Sequence, residues 1–196
     1  MKNIWPKRRK IIIRNRFNFM KDFALKFIDI MIGIVLGLGF QWWPDLREPW
    51  QYAAFIFAYL SVIDYWIDTA PALKKYPPKR ELDLILDVAI MFALFLFIYS
   101  TRESILYFFI TFIVFRVIDF LWILRVKWEY EPMQHDGLVI NTWLSFNSAE
   151  IIAASGLVLL NFVYPLSPLI LLSIFIIFRL ISRIFSSFRY KRVYFI

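Results

Sequence analysis

Cysteine is absent from the 196 residues, and histidine occurs once, as His135. Disulfide exchange, a thiolate nucleophile, a bis-histidine haem and an HExxH zinc site are therefore excluded. An Arg-x(4–6)-His ribonuclease motif is missing as well. His135 sits in the polar phrase "EYEPMQHDG" and reads as a solvated loop residue. Charged residues are also scarce, at 19%. No motif for a cofactor is present, and none is expected.

Apolar residues fill the space left, at 61% of the chain, with 22 Phe among them. A soluble chain of this length cannot hide so much apolar surface, so lipid must solvate most of it. Apolar runs cover 24–43, 50–68, 82–99, 104–125, 139–161 and 164–186. Each approaches the ~20 residues that a spanning helix needs. The reading is an all-α, polytopic integral membrane protein with six transmembrane helices. Four spans is the second choice. The predicted division is a basic N-terminal segment at 1–23, a six-helix domain at 24–188 and a basic tail at 189–196. No small-residue cleavage site follows "IVLGLGF", so the first helix reads as a span and not as a removable signal.

Basic residues fix the expected orientation. Of 23 Lys and Arg, nine lie in 1–26. Lys74, Lys75, Lys79 and Arg80 lie in the 69–81 loop, Arg125 and Lys127 near 125–137, and Arg183, Arg189, Lys191 and Arg192 in the tail. The alternate loops hold only Arg47 and Arg102. This asymmetry puts both termini in the cytoplasm. The "KRRK" at 7–10 reads as a topogenic segment that binds anionic lipid headgroups, at about 1 kcal/mol per basic residue. Nucleic acid is not expected as a partner.

The remaining charges fall inside the spans. Asp29, Asp64, Asp87 and Asp119 recur in "FIDI", "VIDYWID", "ILDV" and "VIDF". Counted from the helix ends, all four are expected roughly 6–9 Å below the cytoplasmic interface, as one acidic layer. Asp68 and Asp83 are expected at the water boundary. Glu150 lies deeper, near mid-membrane, and Arg179 lies in the cytoplasmic half of the last span. Asp29 to Asp64 is 35 residues and Asp87 to Asp119 is 32, which suggests repeated helical hairpins, three in all. Arg116 and Asp119 can neutralise each other at i,i+3. Arg179 can pair with Glu150 or Asp87. Packing and function compete evenly for these residues, and Glu150 has the strongest functional claim.

Three functions are compatible with this pattern. The first is ion permeation along helix 1, where Asp29 precedes Gly33, Ile34 and Gly37. The small residues permit close helix approach, and Ile34 can form an apolar neck that gates by dewetting. The second is a Mg²⁺-dependent lipid phosphotransferase, if Asp64, Asp68, Asp83 and Asp87 converge on a metal ion. The aspartates and six spans are similar to CDP-alcohol phosphotransferases, but the glycine-bearing Asp-Gly-x2-Ala-Arg pattern is missing. The third is a non-catalytic membrane subunit that docks a cytoplasmic protein, for example in a stress or antiphage system.

Phe27-x-Asp29 followed by Gly33 and Ile34 resembles the Phe-Ser-Asp signature of the endolysosomal potassium-channel family. Ile28 replaces the signature Ser, Phe23 stands where that family has Arg, and Thr69 follows Trp66 where it has His. Asp87 stands where an Asn is common. The resemblance implies a six-helix unit of a prokaryotic plasma membrane. It further implies assembly as a homo-oligomeric tetramer and a cation or potassium pathway narrowed at Ile34.

Overall fold

The computed structural model describes the backbone of residues 5–190 and the side chains of 23–133 and 136–188. Six long helices run in order: α1 (Trp5–Phe40), α2 (Pro49–Lys75), α3 (Glu81–Tyr99), α4 (Ile105–Tyr130), α5 (Gln134–Val163) and α6 (Pro168–Tyr190). Short 3-10 turns at Trp43–Asp45 and Ser100–Arg102 follow α1 and α3, and no strand occurs among the described residues. Six segments are long and apolar enough to cross a membrane: Phe23–Asp45, Pro49–Lys75, Glu81–Arg102, Ile105–Tyr130, Asp136–Val163 and Pro168–Phe188. The chain is thus an all-helical, six-span integral membrane protein. His135, expected in a loop, belongs by its backbone to α5; its side chain lies outside the described residues, as do residues 191–196 of the tail.

The helix starts are fixed by side chains that take up orphan backbone donors. Pro49 opens α2, where its missing N–H costs nothing. Gln51 Oε1 accepts from the N–H groups of Arg47 and Glu48, and its amide donates to the Arg102 carbonyl at 3.1 Å, tying two turns together. Asp83 Oδ2 accepts from the Lys79 and Arg80 N–H groups ahead of α3. Ser104 caps α4 by accepting from Tyr107 N–H. In a bilayer such groups have no water to fall back on, so the caps decide where each span begins.

Helix α2 closes a ring with α3, α4, α5 and α6, and α1 packs outside it against α2 and α3. The ring is filled by aromatic rings. Phe97 and Phe108 are 4.9 Å apart, Phe112 and Phe175 4.8 Å, and Phe57 and Phe175 5.8 Å between centroids. Phe97, Phe108, Phe109, Phe112, Phe115 and Phe175 are fully buried. Lipid tails are as apolar as these side chains, so close packing and not the hydrophobic effect holds the plug together.

Glycine roles differ from the sequence expectation. A Cβ on Gly33 or Gly37 would meet nothing within 4 Å, so neither makes a close contact in the protomer. Gly39 does: its Cβ would meet Ile98 Cγ2 at 3.0 Å and the Tyr59 hydroxyl at 3.2 Å. Tyr59 also donates to the Leu36 carbonyl, which locks α1 to α2. Trp42 stacks edge-on against Phe95 and Tyr99, and Trp43 against Tyr52 and Phe55. Such aromatic clusters suit a membrane interface.

The start of α1, the α2–α3 turn, the α4–α5 turn and the end of α6 share one face of the bundle, called here the chain-end face. Cysteines introduced at Glu48, Glu103 and Tyr164, on the opposite face, are expected to react with an impermeant thiol reagent in intact cells. A cysteine at Lys75 should stay unlabelled until the membrane is opened, and labelling of position 75 from outside would reverse the orientation.

Candidate functional site

Seven ionisable side chains meet between α2, α4, α5 and α6. The centre is Glu150 on α5. Its Oε2 lies 2.7 Å from Arg116 Nε of α4, and its Oε1 accepts from Arg179 Nη1 of α6. Arg116 also reaches Asp119, one turn along α4, at 3.3 Å. Arg179 Nη2 lies 3.4 Å from Asp64 Oδ2 on α2. Asp64 Oδ1 then accepts from Arg183 Nη2 at 2.5 Å, and Arg183 Nη1 donates to Asp68 Oδ2 at 2.7 Å. The Asn147 amide donates to Asp119 Oδ2 at 2.7 Å and closes the inner end.

Local helix geometry explains why these groups meet. Asp64 and Asp68 are four apart on α2, and Arg179 and Arg183 are four apart on α6, so each pair lies on one helix face. Both helices run toward the chain-end face, so the pairs advance together. Exposure falls steadily inward: the Arg183 side chain is 42% exposed, Glu150 5% and Asp119 0%. The ladder therefore runs from the chain-end side into the middle of the spans. A buried charge without a partner is very costly at that depth.

A cavity of about 160 Å³ follows the ladder. Asp64, Asp68, Glu150, Arg179 and Arg183 line it together with Ser182 and Ser186. Trp143, Phe146 and Tyr65 supply its aromatic wall. Water takes about 30 Å³ per molecule, so the space holds several waters or one small ligand.

The sequence-predicted residues divide among three surroundings. Asp64, Arg116, Asp119, Glu150 and Arg179 come together in the ladder. Arg183, assigned to the tail by the charge pattern, and Asp68, assigned to the water boundary, belong to it too. The reason is that α2 continues to Lys75, seven residues past the apolar run, so Asp68 still faces α6. Asn147 was missed; its place on the Glu150 face of α5, three residues earlier, was the available signal.

Asp87 and Asp83 form a separate cluster. Asp83 is buried, because it caps α3 and lies 2.9 Å from Arg125. Arg125 also reaches Glu129 at 3.6 Å. Asp87 is buried without a hydrogen bond to either oxygen. The expected convergence of Asp64, Asp68, Asp83 and Asp87 does not occur, because arginines of α6 and α4 draw the two pairs to different partners. Among the described residues no group of three or more His, Cys, Asp or Glu side chains is placed to hold a metal ion.

Asp29 occupies a third setting. It lies on the outward face of α1 with Ile30, Gly33, Ile34 and Gly37, and accepts from Trp66 Nε1 at 2.9 Å. Phe27 is half-buried and stacks on Phe23 at 6.2 Å.

The Glu150 clamp generates a stability prediction. Glu150→Gln leaves two guanidiniums facing each other in a buried site and should cost roughly 3–5 kcal/mol. Glu150→Gln with Arg179→Gln should recover part of this, since Arg116 keeps Asp119. Thermal unfolding of the wild type, both single variants and the double variant in detergent measures the coupling; additive losses would show that the clamp does not hold the helices together.

No family model, no curated protein and no solved structure matches this chain.

Proposed function

We propose that the protein is a homo-oligomeric cation pathway in a prokaryotic plasma membrane, with both termini cytoplasmic and with α1 of each copy facing the conduction axis. One observation carries this reading. Asp29, Gly33, Ile34 and Gly37 lie on a face of α1 turned away from the protomer's own bundle. A carboxylate held against lipid at that position is expensive, whereas a water-filled axis between copies hydrates it. Packed phenylalanine rings fill the helix ring, which favours a path between copies.

Each residue then has a physical role. A ring of Asp29 carboxylates raises the local cation concentration. Ile34 lies five residues further along α1, about 7.5 Å deeper, where a ring of its side chains makes an apolar neck. Gly33 and Gly37, with open space around them, let neighbouring copies approach. Potassium is the preferred ion on the resemblance of Phe27-x-Asp29 to the endolysosomal potassium-channel signature.

Planar-bilayer recording tests this. Ile34→Asn should wet the neck and raise cation conductance several-fold while weakening selectivity. Asp29→Asn should lower conductance at low salt and have little effect at high salt, where the Debye length shrinks to about 3 Å at 1 M. Gly33→Leu meets no steric conflict within a copy, so it should leave the melting temperature unchanged and break the oligomer. An absence of cation current from both wild type and Ile34→Asn, in well-folded protein, would remove the reading.

A further inference from the structure

Two cavities meet beside the last turns of α6. One is the cavity of the ladder, of about 160 Å³. The other is a groove of about 500 Å³ lined by Phe146, Ile181, Ser182, Phe185 and Phe188. Phe146 and Ser182 border both, so the groove adjoins the ladder between α5 and α6. Ile181, Phe185 and Phe188 are exposed within the last span. The groove therefore opens sideways to the bilayer, and its apolar walls suit an acyl chain. Phe188 ends that span, and Arg183 lies five residues before it, about 7.5 Å along the helix. The polar end of the pair of cavities thus sits within reach of lipid headgroups.

The polar end discriminates by charge. Three arginines and three carboxylates border the cavity of the ladder, each paired with another, so the lining is formally neutral. Paired groups keep hydrogen-bonding capacity. Arg183 uses two of its five N–H groups on Asp64 and Asp68, and Asp68 accepts through Oδ2 alone. The Arg183 and Asp68 side chains are 42% and 24% exposed, at the mouth. A cation there would meet Arg183, and an anion would meet Asp68. A headgroup that carries both signs meets each with its opposite and leaves the ladder's own pairs in place. Ser187, exposed beside them, adds a hydroxyl.

We infer that the groove and the mouth of the ladder together bind one membrane phospholipid per copy, of the class whose headgroup joins a phosphate to a primary ammonium. An acyl chain lies along Phe146, Ile181, Phe185 and Phe188. The phosphate accepts from the remaining N–H groups of Arg183 and from Ser187, and the ammonium donates to Asp68 Oδ1. A primary ammonium brings N–H donors to that carboxylate, and a quaternary one brings none. This site differs from the basic termini, whose net charge attracts anionic headgroups, and it does not depend on conduction along α1.

Native mass spectrometry of the full chain in detergent tests this. Phosphatidylethanolamine, phosphatidylcholine and phosphatidylglycerol with identical acyl chains are added in turn, and the lipids retained per copy are counted. One phosphatidylethanolamine should be retained, with an affinity roughly fivefold or more above that of phosphatidylglycerol, the effect of one close charge contact in a hydrated setting. Phosphatidylcholine should fall between them. Ile181→Trp fills part of the groove from an exposed position and should weaken retention of all three lipids several-fold. Asp68→Asn removes the ammonium's partner and should bring phosphatidylethanolamine down to the level of phosphatidylglycerol. Wild type that retains phosphatidylglycerol as well as phosphatidylethanolamine, or retains neither, would overturn the assignment. So would folded Ile181→Trp protein with undiminished retention, or folded Asp68→Asn protein with an unchanged headgroup preference.

Discussion

The bundle depends on one carboxylate held between two guanidiniums. Glu150 of α5 contacts Arg116 of α4 and Arg179 of α6, and all three side chains are largely shielded from solvent. In a bilayer, apolar packing gives little preference for one helix rotation over another, because lipid tails satisfy an apolar surface equally well. A charge at this depth does impose a rotation, since any other angle leaves it facing hydrocarbon. Once Glu150 is clamped, the rotations of α4, α5 and α6 are set. The four-residue spacing of Arg179 and Arg183 then turns the same stripe of α6 toward Asp64 and Asp68, which seats α2.

The number of spans was legible because it rests on length and polarity alone. The membership of the ladder was only partly legible. Glu150, Arg179 and Asp64 stood out as charges within apolar runs. Arg183 was obscured by the basic tail that follows it, although its four-residue step from Arg179 marks it as part of the same helix face. The pairing of Asp68 with Arg183 was hidden because hydropathy falls at "DTAPALKK" while the helix continues, and Pro71 inside that stretch looks like a terminator. Which neighbours the aspartates face was not legible either. Depth along a helix can be counted from sequence, but the direction around the helix depends on which neighbour supplies the counter-charge. Arg125 draws Asp83, and Arg183 draws Asp64 and Asp68, so aspartates assigned to one layer face different helices.

The glycines teach a related lesson. Gly33 and Gly37 have the spacing of a close-packing motif, yet open space surrounds both. Gly39, outside that motif, is the one whose Cβ would strike Ile98. Spacing shows that a helix face is smooth. It does not show whether that face meets the same chain, another copy or lipid.

The fold thus separates two kinds of polar feature. The ladder is internal, and its arginines and carboxylates answer each other almost completely. Asp29 is external, and Trp66 is its hydrogen-bond partner within the protomer. Between them stands a core of packed phenylalanine rings. This arrangement assigns the two features different physical work. An internal ion network of this kind adds little net stability over apolar packing of the same volume, but it makes wrong helix pairings costly and so selects one arrangement. An outward carboxylate beside a smooth glycine stripe gains one hydrogen bond, from Trp66, in the chain's own fold. Its cost in lipid is relieved only where something polar, water or another protein surface, covers α1.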